Sequence, residues 1–526
     1  MLTDRQIQRM LEKLERFEAT LDDLLFTKVD TVPVMAFQTD GKYHTIPEDQ
    51  CFSPCREGDC WEGEGSYCWF KGQYRVPERY AGKTLFIYPE IEGYEGMLWV
   101  NGKPFGNFNT KLNHFSHGNH YCNMLKQEVS AGESLDIAIE YYAHHYVIGT
   151  RPLETNPDKT FKITYRKVNI CLKNDAVWDF YFNLKIVNEM VSALDESSFR
   201  RAGLINVLKQ VHEIVYYDYE NIDHETFYHA LSKANALLKK ELGKKNSESA
   251  PFAGLIGHSH MDTAWLWEIK ETVKKCARTY SNQISLMQQY PNYKFMQSSA
   301  YHSYLMQKYY PELFDDIKAQ VAAGRYEPNG GVWIECDCNI PSGEMMIRQF
   351  LWGQRFTREN FGYTSDCFWL PDTFGYSASI PQIMKGCGVD YFLTTKIKWC
   401  DTTDFPYDTF YWKGIDGTEV FVHFNKTHTG PGPKNMLEFV ESSKDDSLME
   451  KTVTDMRLLS YGRGDGGGGP EFEEVEMTNR LGDVEGLPRS RYITVSDFMK
   501  QLEKTAVEPN VYNGELYLEL HRRSKE

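Results

Sequence analysis

Apolar residues at Ile7, Met10, Leu11, Leu14, Phe17, Leu21 and Leu24 recur at helical spacing with charge on the other faces, predicting a helix over roughly residues 2–26. From the neighbourhood of Trp69 to about residue 185 the period changes. Short alternating runs such as "GMLWVNGKPFGNF", "ESLDIAIEYY" and "TFKITYRKVNICL" are separated by turn residues, the pattern of a β-sandwich-like domain. Within it, Asn101-Gly102 predicts a tight hairpin, because both residues tolerate positive φ. Helical spacing returns from residue 187 and ends in the charged, linker-like "KKELGKKNSESAP". Beyond residue 250, apolar strands ("FAGLIG", "YKFMQSS", "DCFWL", "VDYFLTT", "TFYWK", "EVFVHF") alternate with helical stretches near 265–290, 301–323 and 377–387. Such alternation predicts a parallel sheet or barrel, whose reactive residues lie at the C-terminal ends of its strands. The chain is thus expected to be multidomain α/β: an N-terminal helix (1–30), a β-sandwich-like domain (31–186), a helical linker (187–249) and a β/α domain (250–526).

Length and charge narrow the function. With 526 residues and 41% apolar content the chain can bury more than one core. Its formal charge of −16 would repel phosphate backbones and anionic lipid, which argues against nucleic acid or a membrane surface as partner. The first residues are too charged for a signal peptide, and no window holds the roughly 18 apolar residues of a membrane span, so a cytoplasmic protein is expected. Twelve cysteines in so long a chain are expected to remain thiols. Cys51, Cys55, Cys60 and Cys68 lack the paired C-x2-C spacing of a structural zinc site.

Three stretches could carry chemistry. In "GHSHMDTAWLW" (257–267), His260 and Asp262 follow a strand end, and residues two apart in extended chain point the same way. They could offer an imidazole and a carboxylate to one Zn2+, or simply form a solvated loop. Trp265 and Trp267 could flank a sugar, or pack. In "FWLPDTFGYSASIPQI", Asp372 also follows an apolar strand, where it could serve catalysis or cap a helix. In the 325–356 segment, Glu335 and Asp337 alternate; an exposed strand face is the simpler expectation, a shared cleft the other. "GDGGGGP" (464–470) has no Gly-Lys-Ser/Thr after it and reads as a flexible active-site loop or linker rather than a phosphate cradle.

Taken in order, "GHSHMDTAWLW", "GGVWIECDCNIPSGE", "RQFLWGQRF", "FWLPDTFGYSASIPQI", "YFLTTKIKW" and "GDGGGGP" resemble the α-mannosidases of glycoside hydrolase family 38, in their cytosolic and bacterial branch, over about residues 250–522. The resemblance implies a retaining exo-α-mannosidase on a seven-stranded β/α barrel, with one zinc, acting on terminal mannosyl residues of an oligosaccharide or glycan. By position, His260, Asp262 and Asp372 would be zinc ligands, Asp372 also the nucleophile, Trp265 the stacking platform, and Lys396 a basic group near the nucleophile.

Two departures stand out. The family's fourth zinc ligand lies in a motif resembling F-H-D-I-L-P-G, which is absent here, and "NGELYLELHRRSKE" diverges from the family after Arg522. A C-terminally truncated chain is therefore expected, with a weaker, more open zinc site; His521, His423 and His428 are the candidate replacements but are more simply ordinary surface histidines, and Glu515, Glu519 and Asp465 are the candidates for general acid. An inactive remnant acting as a carbohydrate-binding or interaction module, and a metal-dependent deacetylase, are the competing expectations. A homo-oligomer is compatible with either.

Overall fold

The computed structural model describes residues 3–109, 120–145, 161–400, 402–441 and 448–519. Its N-terminal helix, Asp4–Asp22, starts in a capping box in which the Thr3 hydroxyl accepts from the Gln6 N–H. The predicted stripe is its buried face: Met10, Leu14, Phe17 and Leu21. Phe17 packs against Phe180, Tyr217 and Phe227, so the helix completes a bundle with Asp175–Ala193, Phe199–Ile214 and His224–Leu242. The helical stretch therefore begins at Asp175, ahead of the residue-187 boundary read from the sequence. The strand before it runs on only to Lys173. Apolar residues fill every face of Asp175–Ala193, which hid its helical period.

Between these helices lie two antiparallel sheets. One is built around Lys162–Lys173 and includes Phe26–Thr31, from within the expected N-terminal helical segment. The other has Tyr67–Arg75, Ser134–Tyr142 and Glu95–Val100 as its middle strands. Asn101 and Gly102 make the expected turn, with φ of 50° and 85°. Alternating side chains such as Phe70, Leu98, Ile137 and Ile170 form the core between the sheets.

After residue 250 the strands are mainly parallel and fall into two sheets. In the first, Phe252–His258 lies between Phe295–Met296 and Met456–Tyr461, and Tyr326–Glu327 continues beyond Phe295–Met296. In the second, Cys367–Trp369, Tyr391–Thr394 and Glu419–Phe424 run parallel. Thr409–Lys413, expected as one more strand of the parallel alternation, pairs parallel with Asn510–Asn513 on one edge but antiparallel with Glu419–Phe424 on the other, through a short turn at Asp416-Gly417. A four-to-six-residue connection has no room for the crossover that parallel pairing requires. The helix expected over 301–323 is broken in two, Ala300–Tyr309 and Pro311–Ala322, because Pro311 cannot donate into a continuing helix. Ile256, Met296, Trp369, Leu393, Phe421 and Leu458 share one core, so the two sheets pack as a unit.

Candidate active site

Four strand ends deliver the site. His260 and Asp262 follow Phe252–His258, Asp372 follows Cys367–Trp369, Lys396 follows Tyr391–Thr394, and Asp465 follows Met456–Tyr461. All leave the C-terminal ends of parallel strands, where the backbone is freed from the ladder and loops converge.

His260 is the hub. Its ring is buried, with Nε2 3.3 Å from Asp262 Oδ1 and 3.7 Å from Asp372 Oδ2. The other nitrogen, Nδ1, lies 2.7 Å from Glu335 Oε2. Glu335 is itself held by a hydrogen bond from the Ser298 hydroxyl. Burial pulls the His260 pKa down, but the charge of Glu335 and then the contacts with Asp262 outweigh it and raise the pKa well above the usual imidazole range. The same ring of carboxylates that holds a proton on Nε2 would hold a divalent cation in its place. His260, Asp262 and Asp465 can bring one ligand atom each within 4.8 Å of one another, the one such group among the described residues; Asp372, expected as the third ligand, falls outside it, 3.7 Å from His260 Nε2. The cysteines at 51, 55, 60 and 68 form none; Cys55 gives its thiol hydrogen to the Val34 carbonyl.

Asp372 has two differently engaged oxygens. Oδ2 faces His260, and Oδ1 accepts a hydrogen bond from Lys396 Nζ. The Lys396 ammonium is buried and sits 3.9 Å from the centre of the Trp399 ring and 4.3 Å from that of Phe374. Trp399 and Phe374 are nevertheless 52% and 46% exposed, and Trp265 is 53% exposed, so three aromatic rings near the carboxylates remain available to a ligand. Trp267 is the packing tryptophan of its pair: its indole N–H donates to the Thr272 hydroxyl at 3.1 Å.

Asp465 stands in the left-handed region at φ 58°. Its carbonyl accepts from the Asp262 N–H at 3.0 Å, tying the glycine-rich loop to the ligand loop. The loop is not the loose segment expected from its composition. A Cβ at Gly467 would come within 2.5 Å of Met261 Cε, the Gly468 N–H donates to Thr279 at 2.9 Å, and Gln283 donates to the Gly468 carbonyl at 3.1 Å. Its glycines serve close packing and positive φ.

Other expectations are corrected. Residues 328–342 contain no strand, so Glu335 and Asp337 are not a strand face. Glu335 turns inward to His260, and Asp337 accepts from the Asn339 and Ile340 N–H groups at 2.8 Å. His423 is not a replacement ligand. It is buried in the core, its Nδ1 3.0 Å from the Thr409 hydroxyl and its Nε2 accepting from the Leu458 N–H at 3.3 Å. His521 and the side chain of His428 lie outside the described residues. Glu519 accepts from Thr402 and Thr403 on the surface, and these hydrogen bonds lower its pKa, the opposite of what a general acid needs. The Glu515 carbonyl accepts from the Tyr512 hydroxyl at 2.9 Å. The sequence offers Glu335 as a cleft candidate beside Asp337 but not its partnership with His260, and it does not single out Phe374 or Trp399, although each lies within a motif that marks the others.

Residues 253–515 match the family model described as the glycosyl hydrolases family 38 N-terminal domain, and the chain belongs to that family. It is 37% identical to α-mannosidase G of Dictyostelium discoideum over 86% of this chain and 41% of that protein. It is 31% identical to α-mannosidase 2C1 of Mus musculus over 99% of this chain and 49% of that protein. The chain thus spans about half the length of these curated relatives. Among solved structures, an α-mannosidase from Enterococcus faecalis V583 aligns with 51% of this chain and 31% of its own, at 20% identity and a TM-score of 0.44.

Proposed function

We propose that the chain carries the catalytic domain of a retaining exo-α-mannosidase that removes terminal α-mannosyl residues from oligosaccharides by a zinc-assisted double displacement. The observation that carries this reading is His260, whose Nε2 lies 3.3 Å from Asp262 and 3.7 Å from Asp372 across two strand ends, with Asp372 held by Lys396. The names of the relatives, all α-mannosidases, supply the sugar.

His260, Asp262 and Asp372 would hold the zinc; one nitrogen and two carboxylates suit its borderline character. Bound there, zinc supplies a Lewis-acid contact to adjacent sugar hydroxyls and charge compensation for the oxocarbenium-like transition state. Asp372 attacks the anomeric carbon, forming a glycosyl ester as the bond to the leaving oxygen breaks. Lys396 keeps the attacking carboxylate oriented and offsets its charge. Asp465, in its fixed loop, is our choice of acid: it gives a proton to the leaving oxygen, then takes one from the water that releases the sugar. Trp265 provides the face on which the sugar ring stacks.

We read the two sheets as one seven-stranded β/α barrel. The first seam is supported by Lys426–Thr429, which follows Glu419–Phe424 after a single residue and pairs with Met456–Tyr461. The second is supported by Asn329, whose side-chain Oδ1 accepts from the Asp366 and Cys367 N–H groups. A cytoplasmic setting is supported by the cysteines, all of which are free thiols.

The test is an aryl α-mannoside assay on the purified chain, followed by proton NMR. Release of mannose first as the α-anomer, lost in Asp372→Ala, is the expected result. No turnover would favour an inactive binding remnant, and acetate release without glycosidic cleavage would favour a deacetylase.

A further inference from the structure

The loop carrying Asp262 and Trp265 is gripped from two sides. On the catalytic side, the Thr272 hydroxyl donates to the Thr263 carbonyl, and the Thr263 hydroxyl lies 2.9 Å from His302 Nε2. On the other side the contact comes from 121 residues away: His145 Nε2 sits 2.6 Å from the Leu266 carbonyl, next to Trp265. A carbonyl only accepts, so Nε2 carries the hydrogen, and Nδ1 is free to accept from the Tyr142 hydroxyl at 2.6 Å. Tyr142 in turn stacks on Tyr67 at 4.9 Å, and Tyr67 donates to Glu271.

Tyr142 and Tyr67 belong to the antiparallel sheet of the N-terminal domain, while Glu271 opens the helix Ile269–Gln289 immediately after the loop. That helix is clamped to the same sheet by buried ion pairs: Lys274 to Glu140 at 2.7 Å, Lys275 to Glu95 at 2.5 Å, and Arg278 to Glu95 at 2.7 Å. Lys275 adds a cation 4.6 Å from the centre of the Trp267 ring, which in turn meets Trp265 edge to face. A half-exposed tryptophan on a loop can present a fixed face to a sugar only if its backbone is fixed, since ordering it on binding would cost affinity.

We infer that His145, contributed by the β-sheet domain, is a positioning residue that holds the Leu266 carbonyl and thereby sets the Trp265 face for the terminal sugar. The sheet domain is on this view a wall of the active site rather than an appended module. The inference rests on the proposed α-mannosidase reading, so its test has one arm that needs no turnover.

In the full chain labelled with 5-fluorotryptophan, the Trp265 resonance is assigned with Trp265→Phe and compared in wild type, His145→Ala and His145→Gln. We expect the resonance to shift or broaden in His145→Ala and to return towards its wild-type position in His145→Gln, whose amide restores a donor at similar reach. On an aryl α-mannoside, His145→Ala should raise KM about fivefold, the worth of one neutral hydrogen bond, with kcat and zinc content unchanged. An unaltered Trp265 resonance in His145→Ala would overturn the inference, as would kcat and zinc content falling while KM stays constant. If wild type turns over no mannoside, the proposed function fails, while the fluorine spectra still decide the positioning claim.

Discussion

At the scale of single residues, the proposed role of His260 as a zinc ligand depends on a second carboxylate behind its ring. Glu335 on Nδ1 directs Nε2 at Asp262 and Asp372, and such supporting partners typically change metal affinity 10- to 100-fold. Glu335→Gln should therefore weaken zinc by about that factor in a competition titration with a chelator, while leaving circular dichroism unchanged. His260, Asp262 and Asp372 could be picked out from sequence because each sits just past an apolar run. Glu335 could be named as a cleft candidate but not paired with His260, because it lies in irregular chain whose turns no period describes.

His423 makes the same point from the other direction: a histidine that looked available is a core residue. Burial, the largest effect, and the nearby Arg457 and Lys398 charges lower its pKa from 6.5 to about 3, against the opposing pull of Asp408. The neutral ring is thus the folded form. Its contribution is fully present above the unfolded value and is lost as pH falls from about 6.5 towards 3, with a slope approaching 1.4 kcal/mol per pH unit. His423→Gln should be less stable at neutral pH yet show a shallower loss between pH 6.5 and 4 in urea unfolding. An unchanged acid slope would contradict a buried neutral imidazole.

At the scale of elements, Gly353 explains how the helix Gly343–Phe361 lies so close to the loop that supports Glu335, and Gly330 how that loop lies against Ser298, which holds Glu335. A Cβ on Gly353 would stand 2.3 Å from the Val332 carbonyl carbon, and one on Gly330 would stand 1.6 Å from the Ser298 carbonyl oxygen. Gly353→Ala should cost about 1–3 kcal/mol by overpacking, read as a lower urea midpoint. It should also weaken zinc binding, because Val332 and Trp333 lead directly to Glu335. The helix Ile269–Gln289 was placed correctly to within a few residues, but its sequence misleads about burial. Lys274, Lys275 and Arg278 look like a solvated face, yet they are 0%, 3% and 2% exposed. Their partners Glu95 and Glu140 are far away in sequence, so no local pattern could reveal the pairing.

At the scale of the molecule, those pairs make the sheet domain and the catalytic domain one structural unit. Removing one member leaves a buried charge without its partner. Lys274→Met should cost about 3–5 kcal/mol, and adding Glu140→Leu should recover much of it. If the domains unfolded independently, the loss would be confined to one of two urea transitions; a single transition moving as a whole is the expected result. The division into β-rich, helical and alternating segments was legible from periodicity. Where the strands parted into two sheets, and which loops met, depended on contacts between distant residues.

The central claim is that His260, Asp262 and Asp372 share one cation beside the attacking carboxylate. A crystal of the zinc-loaded chain, with diffraction recorded on both sides of the zinc absorption edge, tests it most directly. The account predicts one anomalous peak within about 2.0–2.2 Å of His260 Nε2 and of oxygens from both Asp262 and Asp372. A peak elsewhere, or one that leaves Asp372 beyond coordination distance, would contradict it.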